Sequence, residues 1–278
     1  MFDIKLPDLR IVPLSKLVPH EMSDEQRAIP LAVRLREEGI LKNPPVIAPL
    51  GTDDEFVILD GANRVAALEA IGIPHVLVQV VDYESPQVDL HTWYHVISGA
   101  EATQILDNLT HLPEINVATT NIFHARAALA RRDILAFYIQ TDGQVTTLAS
   151  RAHELEKRTQ MLRMIVDSYI RAGHLNRANT DNINRLRNIF PDMVAAIIFP
   201  RYEPVEILEL ARSGLKVPAG ITRHIIHGRA LRLNYPLQRL AAPASLQEKN
   251  QELTNWIQEK FNQKGVRFYA EETFLFDE

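Results

Sequence analysis

The chain carries Val57-Ile58-Leu59-Asp60-Gly61-Ala62-Asn63-Arg64 and continues directly into Val65-Ala66-Ala67-Leu68-Glu69-Ala70-Ile71-Gly72. The apolar run predicts a buried strand that ends on the carboxylate of Asp60, and Gly61 predicts a turn. A helix is predicted to open at once, with Asn63 and Arg64 in its first turn. The N-terminus of a helix presents unpaired N–H groups and the positive end of its dipole, so it attracts phosphate. With Asp60 able to hold Mg²⁺, the stretch could form a nucleotide-phosphate cradle.

The same stretch also has a purely structural interpretation. Strand–glycine–helix turns are common in folds that bind nothing there. Asp60 could simply cap the helix, and Arg64 could be a surface residue of its first turn. These interpretations are compatible with function, because a helix cap and a phosphate cradle use the same geometry.

The bulk composition is that of an ordinary soluble globular protein. The chain has 278 residues, 46% apolar and 23% charged, which is enough for one large domain or two. Its net charge of −5 argues against a dedicated nucleic-acid binder, whose affinity comes largely from basic groups. The absence of cysteine excludes disulfides, thiolate ligands and a cysteine nucleophile. No apolar run approaches the ~20 residues of a membrane span and no signal pattern opens the chain, so we expect a cytoplasmic protein.

Alternating strand and helix patterns up to about residue 100 predict a compact α/β unit, in which Ser23 begins an S-x-x-Q capping box. Farther along, Asp142-Gly143 predicts a hairpin, and apolar residues at helical spacing predict a helix from Leu148 to about Gly173. Ser245 opens another helix through a second capping box, and the C-terminal residues read as extended. We predict a mixed α/β (α+β) protein with two domains, residues 1–110 and 111–278.

Three further segments could carry chemistry. Leu17-Val18-Pro19-His20-Glu21 places a carboxylate on a loop near the core, where it could act as a general base or simply be solvated. The segment from Val217 to Asn234 interleaves Arg, His and Thr with apolar residues, which suits binding of a carboxylate or phosphate. His91-Thr92-Trp93-Tyr94-His95 is a weaker candidate, in which packing is the default role of Trp93.

Several common sites are missing from the sequence. There is no zinc-type spacing, no Walker A sequence, no G-x-G-x-x-G and no nucleophile elbow. A Ser–His–Asp triad stays open on sequence alone.

Together these motifs resemble the ParB/sulfiredoxin superfamily, and within it the free serine kinases. The turn Asp60-Gly61-Ala62-Asn63-Arg64 is similar to its phosphate-binding motif, which in the kinases often reads Asp-Gly-His-His-Arg. Pro19-His20-Glu21, the segment around Trp93, and Gly220-Ile221-Thr222-Arg223-His224 with Gly228-Arg229-Ala230 resemble further kinase motifs in the same order. The sulfiredoxin branch is closed, because its chemistry needs a cysteine.

This resemblance implies a ParB/sulfiredoxin-like nucleotide-binding N-terminal domain and an α/β C-terminal domain that completes the substrate site. It implies phosphoryl transfer from ADP or ATP, with Mg²⁺, to free L-serine. The implied roles divide the site into a phosphate side and an acceptor side. On the phosphate side Gly61, Ala62, Asn63 and Arg64 would bind the nucleotide's phosphates. Asp60 would be a catalytic residue that coordinates Mg²⁺ or orients the hydroxyl.

On the acceptor side Glu21 would be the catalytic base. Thr222, Arg223 and His224 would bind serine, and Trp93 would wall the pocket. Asn63 can still donate a hydrogen bond where the kinases often have histidine, whereas Ala62 offers only its backbone N–H.

The alternative is a ParB-like regulator that binds nucleotide and DNA without kinase activity. It needs a helix-turn-helix with a basic face, and residues 150–190 are the candidate segment. Their arginines also fit the solvated side of a core-packing helix, which is the interpretation we favour.

Overall fold

The structure, a computed structural model, describes residues 6–22, 25–51 and 54–268. The predicted capping box at Ser23 and the chain after Phe268 lie outside these residues. In chain order the strands are β1 (Asp8–Pro13), β2 (Leu17–Pro19), β3 (Ile40–Leu41), β4 (Val46–Pro49), β5 (Phe56–Asp60), β6 (His75–Val80), β7 (Val88–Thr92), β8 (Tyr94–Ser98), β9 (Asn116–Thr120), β10 (Ala136–Gln140), β11 (Val145–Ala149), β12 (His174–Ala178), β13 (Met193–Ile198), β14 (Thr222–Ile226) and β15 (Tyr235–Pro236). The helices are α1 (Glu25–Glu38), α2 (Ala62–Ala70), α3 (Ala102–Thr110), α4 (Ile122–Ala130), α5 (Leu155–Tyr169), α6 (Ile183–Ile189), α7 (Pro204–Arg212), α8 (Leu237–Ala241) and α9 (Leu246–Asn262).

Within the described residues the strands form two main sheets. The first has the order β1-β6-β4-β5-β2, with parallel pairing of β2 with β5 and of β4 with β6. The second has the order β12-β8-β13-β10-β11-β9 and is antiparallel throughout. Two short ribbons, β7 with β14 and β3 with β15, bring distant parts of the chain back to the first 100 residues.

The first sheet is covered by helices from both ends of the chain. Helix α1 packs on α2, and α9 packs on β1. Their buried apolar side chains form one core with the strands, in which Leu68, Val76 and Tyr235 are fully buried. Burial of this kind is the main source of stability, at roughly 25 cal/mol per Å² of apolar surface. It also fixes the strand–turn–helix unit at β5 and α2.

The second sheet packs against helices α3, α5 and α7 in a core that also includes Ala48, Val57 and Leu59 of the first sheet. The predicted hairpin is confirmed, since β10 and β11 flank Asp142-Gly143 and Gly143 has a φ of 89°. The predicted start of the long helix at Leu148 is wrong. Leu148 belongs to β11 and pairs with Ala136, because it also fits the period-2 pattern of a strand, and the helix begins at Leu155.

The predicted mixed α/β class is confirmed. The division at residues 110 and 111 stays a prediction, and the two sheets are not separated there. Strand β8 and helix α3 precede residue 111 but belong to the second sheet and its core. Residues 235–257 contribute to the first core. Among the helices of the described residues, none has the length and apolar character needed to span a bilayer.

Candidate active site

The turn after β5 has the geometry of a phosphate cradle. Gly61 is the N-cap of α2 and has a φ of 98°, in the region that favours glycine. The N–H groups of Arg64 and Val65 bond to the Gly61 carbonyl at 2.9 and 3.0 Å. The N-cap position is occupied by Gly61, so the alternative role of Asp60 as the capping residue is wrong.

A cavity of about 370 Å³ lies against this turn. Every site residue predicted from the sequence lines it, namely Glu21, Asp60, Gly61, Ala62, Asn63, Arg64, Trp93, Thr222, Arg223 and His224. The fold therefore brings the separated motifs to one place. Their contacts with each other decide what each can do.

Asp60 is held by two arginines. Arg64 donates to its Oδ2 at 2.5 Å, and Arg229 donates to the same oxygen. Partial burial raises the pKa of Asp60, but the two guanidinium groups outweigh it and keep the pKa below its usual value. Arg64 also donates to the carbonyls of Asn43 and Pro44, at 2.7 and 3.2 Å. Its guanidinium thus fixes Asp60 and the start of β4, and any contact with phosphate must share it with them.

Glu21 is fixed by residues almost 200 positions away. Main-chain bonds between Met22 and Val217, at 3.0 Å, and between Val217 and His20, at 2.8 Å, anchor its loop. Its Oε1 accepts from the Gly220 N–H at 2.9 Å, and its Oε2 accepts from the Thr222 hydroxyl at 2.5 Å. A carboxylate held this way is a pre-oriented acceptor for a proton from a molecule in the cavity.

His224 lines the cavity, yet its ring nitrogens are already in use. Nε2 lies 2.7 Å from the Tyr83 hydroxyl, and the ring also bonds to the backbone of Leu59. Burial and the neighbouring His20 lower the pKa of His224 well below its ordinary value, so the ring is neutral. A direct bond from His224 to serine, as the resemblance implies, would require one of these bonds to break.

Trp93 and Arg223 form one wall of the cavity. The guanidinium of Arg223 lies 4.3 Å from the centre of a Trp93 ring, which is a cation–π contact. The main-chain N–H of Trp93 donates to the carbonyl of Ile221 at 2.7 Å, so the segment that leads into β14 and Arg223 also fixes the backbone of Trp93. A stacked guanidinium keeps its N–H groups in one plane, which suits a carboxylate or phosphate.

Sequence reasoning missed two cationic residues of the cavity, Arg27 from α1 and Arg177 from β12. Arg177 belongs to the segment 150–190 of the DNA-binding alternative, and no local pattern shows that it lines the cavity. The glycine at position 220 is the signal for this close approach, since a Cβ there would lie 2.5 Å from Arg177 Nε. Arg229 was part of a quoted motif, but its pairing with Asp60 has no local signature.

The described lining of the cavity has more positive than negative side chains. The cations are Arg27, Arg64, Arg177 and Arg223, and the anions are Glu21 and Asp60. Together with the positive end of the α2 dipole, this charge balance favours a polyanionic ligand such as a nucleotide's phosphates.

A divalent cation would have one carboxylate to bind at the cradle. No group of three or more His, Cys, Asp or Glu side chains suited to a metal occurs in the described part of the chain. Mg²⁺ is often bound by one or two carboxylates, with phosphate oxygens and waters completing its shell. Both arginine contacts with Asp60 fall on Oδ2, so its carboxylate is not bonded to arginine through both oxygens. Asp60 therefore fits Mg²⁺ that arrives with a nucleotide.

The segment proposed for DNA binding does not form a helix-turn-helix within its described residues. Strand β12 separates α5 from α6 and is hydrogen-bonded to β8 in the second sheet. Arg158 donates to the carbonyls of Ala152 and Ile134, at 3.1 and 2.9 Å, and Arg177 lies in the cavity. The arginines of this segment are therefore divided among different environments, and the DNA-binding alternative is not favoured.

Solved structures of other proteins share this fold. The structure of a free serine kinase in complex with AMP superimposes with a TM-score of 0.70, covering 86% of this chain and 97% of the other, at 21% sequence identity. The chain has the fold of the free serine kinases. The resemblance inferred from the motifs is thereby confirmed at the level of the fold.

The chain is also similar in sequence to two L-serine kinases. The chain is 24% identical over 276 residues to the ATP-dependent L-serine kinase SbnI of Staphylococcus aureus, covering 97% of each. It is 32% identical over 90 residues to the ATP-dependent L-serine kinase of Staphylothermus marinus. That second match spans 32% of this chain and 36% of the archaeal protein. No family model matches the chain.

Proposed function

We propose that this chain is a kinase that transfers a phosphoryl group from ADP or ATP to the hydroxyl of free L-serine, giving O-phospho-L-serine. One observation carries the proposal. A cavity rich in arginine has a phosphate cradle, Asp60 to Arg64, and a hydrogen-bonded carboxylate, Glu21, in the same lining. The L-serine kinase activity named for two relatives supports serine as the acceptor. We place the reaction in the cytoplasm, where nucleotides are abundant.

The phosphate side of the site works by positioning and charge. Phosphoryl transfer leaves little covalent chemistry to the protein, because the reacting oxygens and phosphorus must mainly be aligned and their charge neutralised. Backbone N–H groups of Gly61, Ala62 and Asn63 would bind phosphate oxygens. Arg27, Arg64 and Arg177 would together neutralise negative charge on the phosphates. Arg64 would do so while it remains bonded to Asp60. Asp60 would hold Mg²⁺ that accompanies the nucleotide, and the ion would supply further positive charge beside the phosphates.

The acceptor side supplies a base and a carboxylate site. Glu21 would take the proton of the serine hydroxyl as that oxygen attacks phosphorus, a contribution of about 10²–10⁴-fold for a general base. Arg223, held flat on Trp93, would bind the serine carboxylate. Thr222 would act mainly by holding Glu21, since its hydroxyl is already bonded to that carboxylate.

The test is a product assay with purified protein, Mg²⁺, either ADP or ATP, and a panel of amino acids that includes L-serine, L-threonine and D-serine. Phosphorus NMR or mass spectrometry would detect O-phospho-L-serine. We expect product with L-serine and one of the nucleotides, and a loss of turnover without loss of nucleotide binding in Glu21→Gln. No phosphorylated amino acid with any pairing would exclude the kinase.

A further inference from the structure

A chain of hydrogen bonds runs from the first sheet to the proposed base. His20 is 3% exposed, and its Nδ1 lies 2.5 Å from the carbonyl oxygen of Ile58 in β5. Its Nε2 lies 2.9 Å from the Thr222 hydroxyl oxygen. That hydroxyl in turn lies 2.5 Å from Oε2 of Glu21. Three contacts in series therefore join Ile58, His20, Thr222 and Glu21.

When Glu21 is ionised, this series of hydrogen bonds has fewer hydrogens than contacts. The Ile58 carbonyl can only accept, so Nδ1 of His20 carries a hydrogen. A neutral His20 then has no hydrogen on Nε2, and the Thr222 hydroxyl has one hydrogen for two neighbours. Three contacts need three hydrogens, whereas a neutral histidine, a threonine and a carboxylate supply two. With Glu21 ionised, one contact lacks its hydrogen.

The surroundings favour neutral His20 as the end of this chain. Burial lowers the pKa of His20, although the carboxylates of Glu21 and Asp60 act in the opposite direction. The ring of His224, from β14, meets His20 edge-on at 5.2 Å and is itself neutral. The same cavity is also lined by the cations Arg27 of α1, Arg64 of α2, Arg177 of β12 and Arg223 of β14, beside the carboxylates Glu21 and Asp60. Burial is the largest of these influences, so His20 stays neutral.

We propose that Glu21, Thr222 and His20 take up the proton of the acceptor hydroxyl as one unit, with His20 as a positioning residue that receives the Thr222 hydrogen bond. This inference rests on the proposed kinase function. As the serine O–H bond breaks, its proton forms a new O–H bond at Oε2 of Glu21. The serine oxygen forms a bond to phosphorus, and the bond from phosphorus to the leaving nucleotide breaks with its electron pair on the nucleotide.

Thr222 remains neutral throughout this step. Its hydroxyl hydrogen turns from Glu21 to Nε2 of His20, and its oxygen then accepts from the newly protonated Glu21. The incoming proton is the hydrogen that the chain lacked, so all three contacts are satisfied only after proton uptake. A carboxylate bonded to Thr222 alone does not complete a series of hydrogen bonds in this way, so the contact with His20 favours transfer of the serine proton to Glu21.

A pair of substitutions separates this role from a structural one. His20→Gln places an amide oxygen near the position of Nε2, so it can still accept from Thr222. His20→Asn places its amide nitrogen near Nδ1, so it keeps the bond to the Ile58 carbonyl and loses the contact with Thr222. If Glu21, Thr222 and His20 act as one hydrogen-bonded relay, we expect kcat to fall by roughly 10- to 10²-fold in His20→Asn. The acid limb of its kcat/KM profile should move to lower pH, while His20→Gln keeps the larger share of the rate.

The two variants are compared at equal folded fraction, measured by thermal unfolding, and with equal nucleotide affinity. Equal losses in both, or a larger loss in His20→Gln, would show that the bond to Ile58 is what matters and would overturn the relay. An acid limb of His20→Asn that coincides with the wild-type limb would overturn it as well. These outcomes leave the kinase intact, because wild-type turnover is measured first. Absence of turnover in the wild type overturns both proposals.

Discussion

Substituting Gly61 by alanine should lower both the affinity for nucleotide and the stability of the fold. At Gly61 an added Cβ would lie 2.9 Å from Nη2 and 3.1 Å from Cζ of Arg64, so the guanidinium must move. That movement disturbs its bonds to Asp60 and to the carbonyls of Asn43 and Pro44. The φ of 98° lies beyond the left-handed region open to alanine, which costs on the order of 1–3 kcal/mol.

Gly72 provides the matched control at the other end of the same helix. It also has a positive φ, 76°, but an added Cβ there meets nothing within 4 Å. Gly72→Ala should therefore lose about 1–2 kcal/mol through backbone strain alone. At roughly 2–4 °C per kcal/mol, both variants should unfold several degrees below the wild type.

Nucleotide affinity should distinguish the two variants. Loss of one charged hydrogen bond to phosphate is worth about 1.5–3 kcal/mol, or roughly 10- to 150-fold in Kd. Isothermal titration of ADP and ATP with Mg²⁺, well below the unfolding temperature, should show this loss in Gly61→Ala and wild-type affinity in Gly72→Ala. Equal affinities in the two variants would refute the cradle.

Three further predictions concern single contacts. In Arg229→Gln, Asp60 keeps only the contact with Arg64. A carboxyl group whose pKa is lowered by folding stabilises the fold above its unfolded pKa, so the variant should be less stable than the wild type at pH 7. Urea unfolding from pH 7 to pH 3 should show this difference vanish as pH falls through the titration of Asp60. Trp93→Leu removes the face that holds Arg223, so KM for the amino acid should rise several-fold while nucleotide Kd is unchanged; a rise in nucleotide Kd instead would place Arg223 on the phosphate side. Ser245→Ala removes the N-cap of α9 and should cost about 1 kcal/mol in urea unfolding, with turnover kept; an unchanged midpoint would mean that α9 does not depend on this cap.

The features that the sequence predicted correctly depend on neighbouring residues. The hairpin at Asp142-Gly143 follows from the positive φ that Gly143 can adopt, and the cap at Ser245 follows from one side chain and the next turn. The turn from β5 through Gly61 into α2 is local for the same reason. The false helix start at Leu148 shows the limit, since one leucine fitted both a strand and a helix and tertiary pairing decided between them.

The acceptor side could not be derived from local pattern because it depends on pairing across more than 100 residues. Thr222 lies opposite Thr92 in the β7–β14 ribbon. This register places Arg223 over Trp93 and, on the neighbouring residue, turns the Thr222 hydroxyl to Glu21. A slip of one residue would send both side chains to the opposite faces of the ribbon. Only the resemblance to a known family could supply this pairing before the structure.

The segment after β14 couples the acceptor side to the cradle. The Gln79 side chain donates to the carbonyl of Gly228 and accepts from the N–H of Ala230, at 3.2 and 2.9 Å, which fixes the residue between them. That residue is Arg229, whose guanidinium bonds to Asp60. The strand that positions Thr222 therefore continues into the segment that neutralises Asp60. A change in the register of β14 would therefore disturb the base and the phosphate cradle together, so the two halves of the site depend on the same strand pairing.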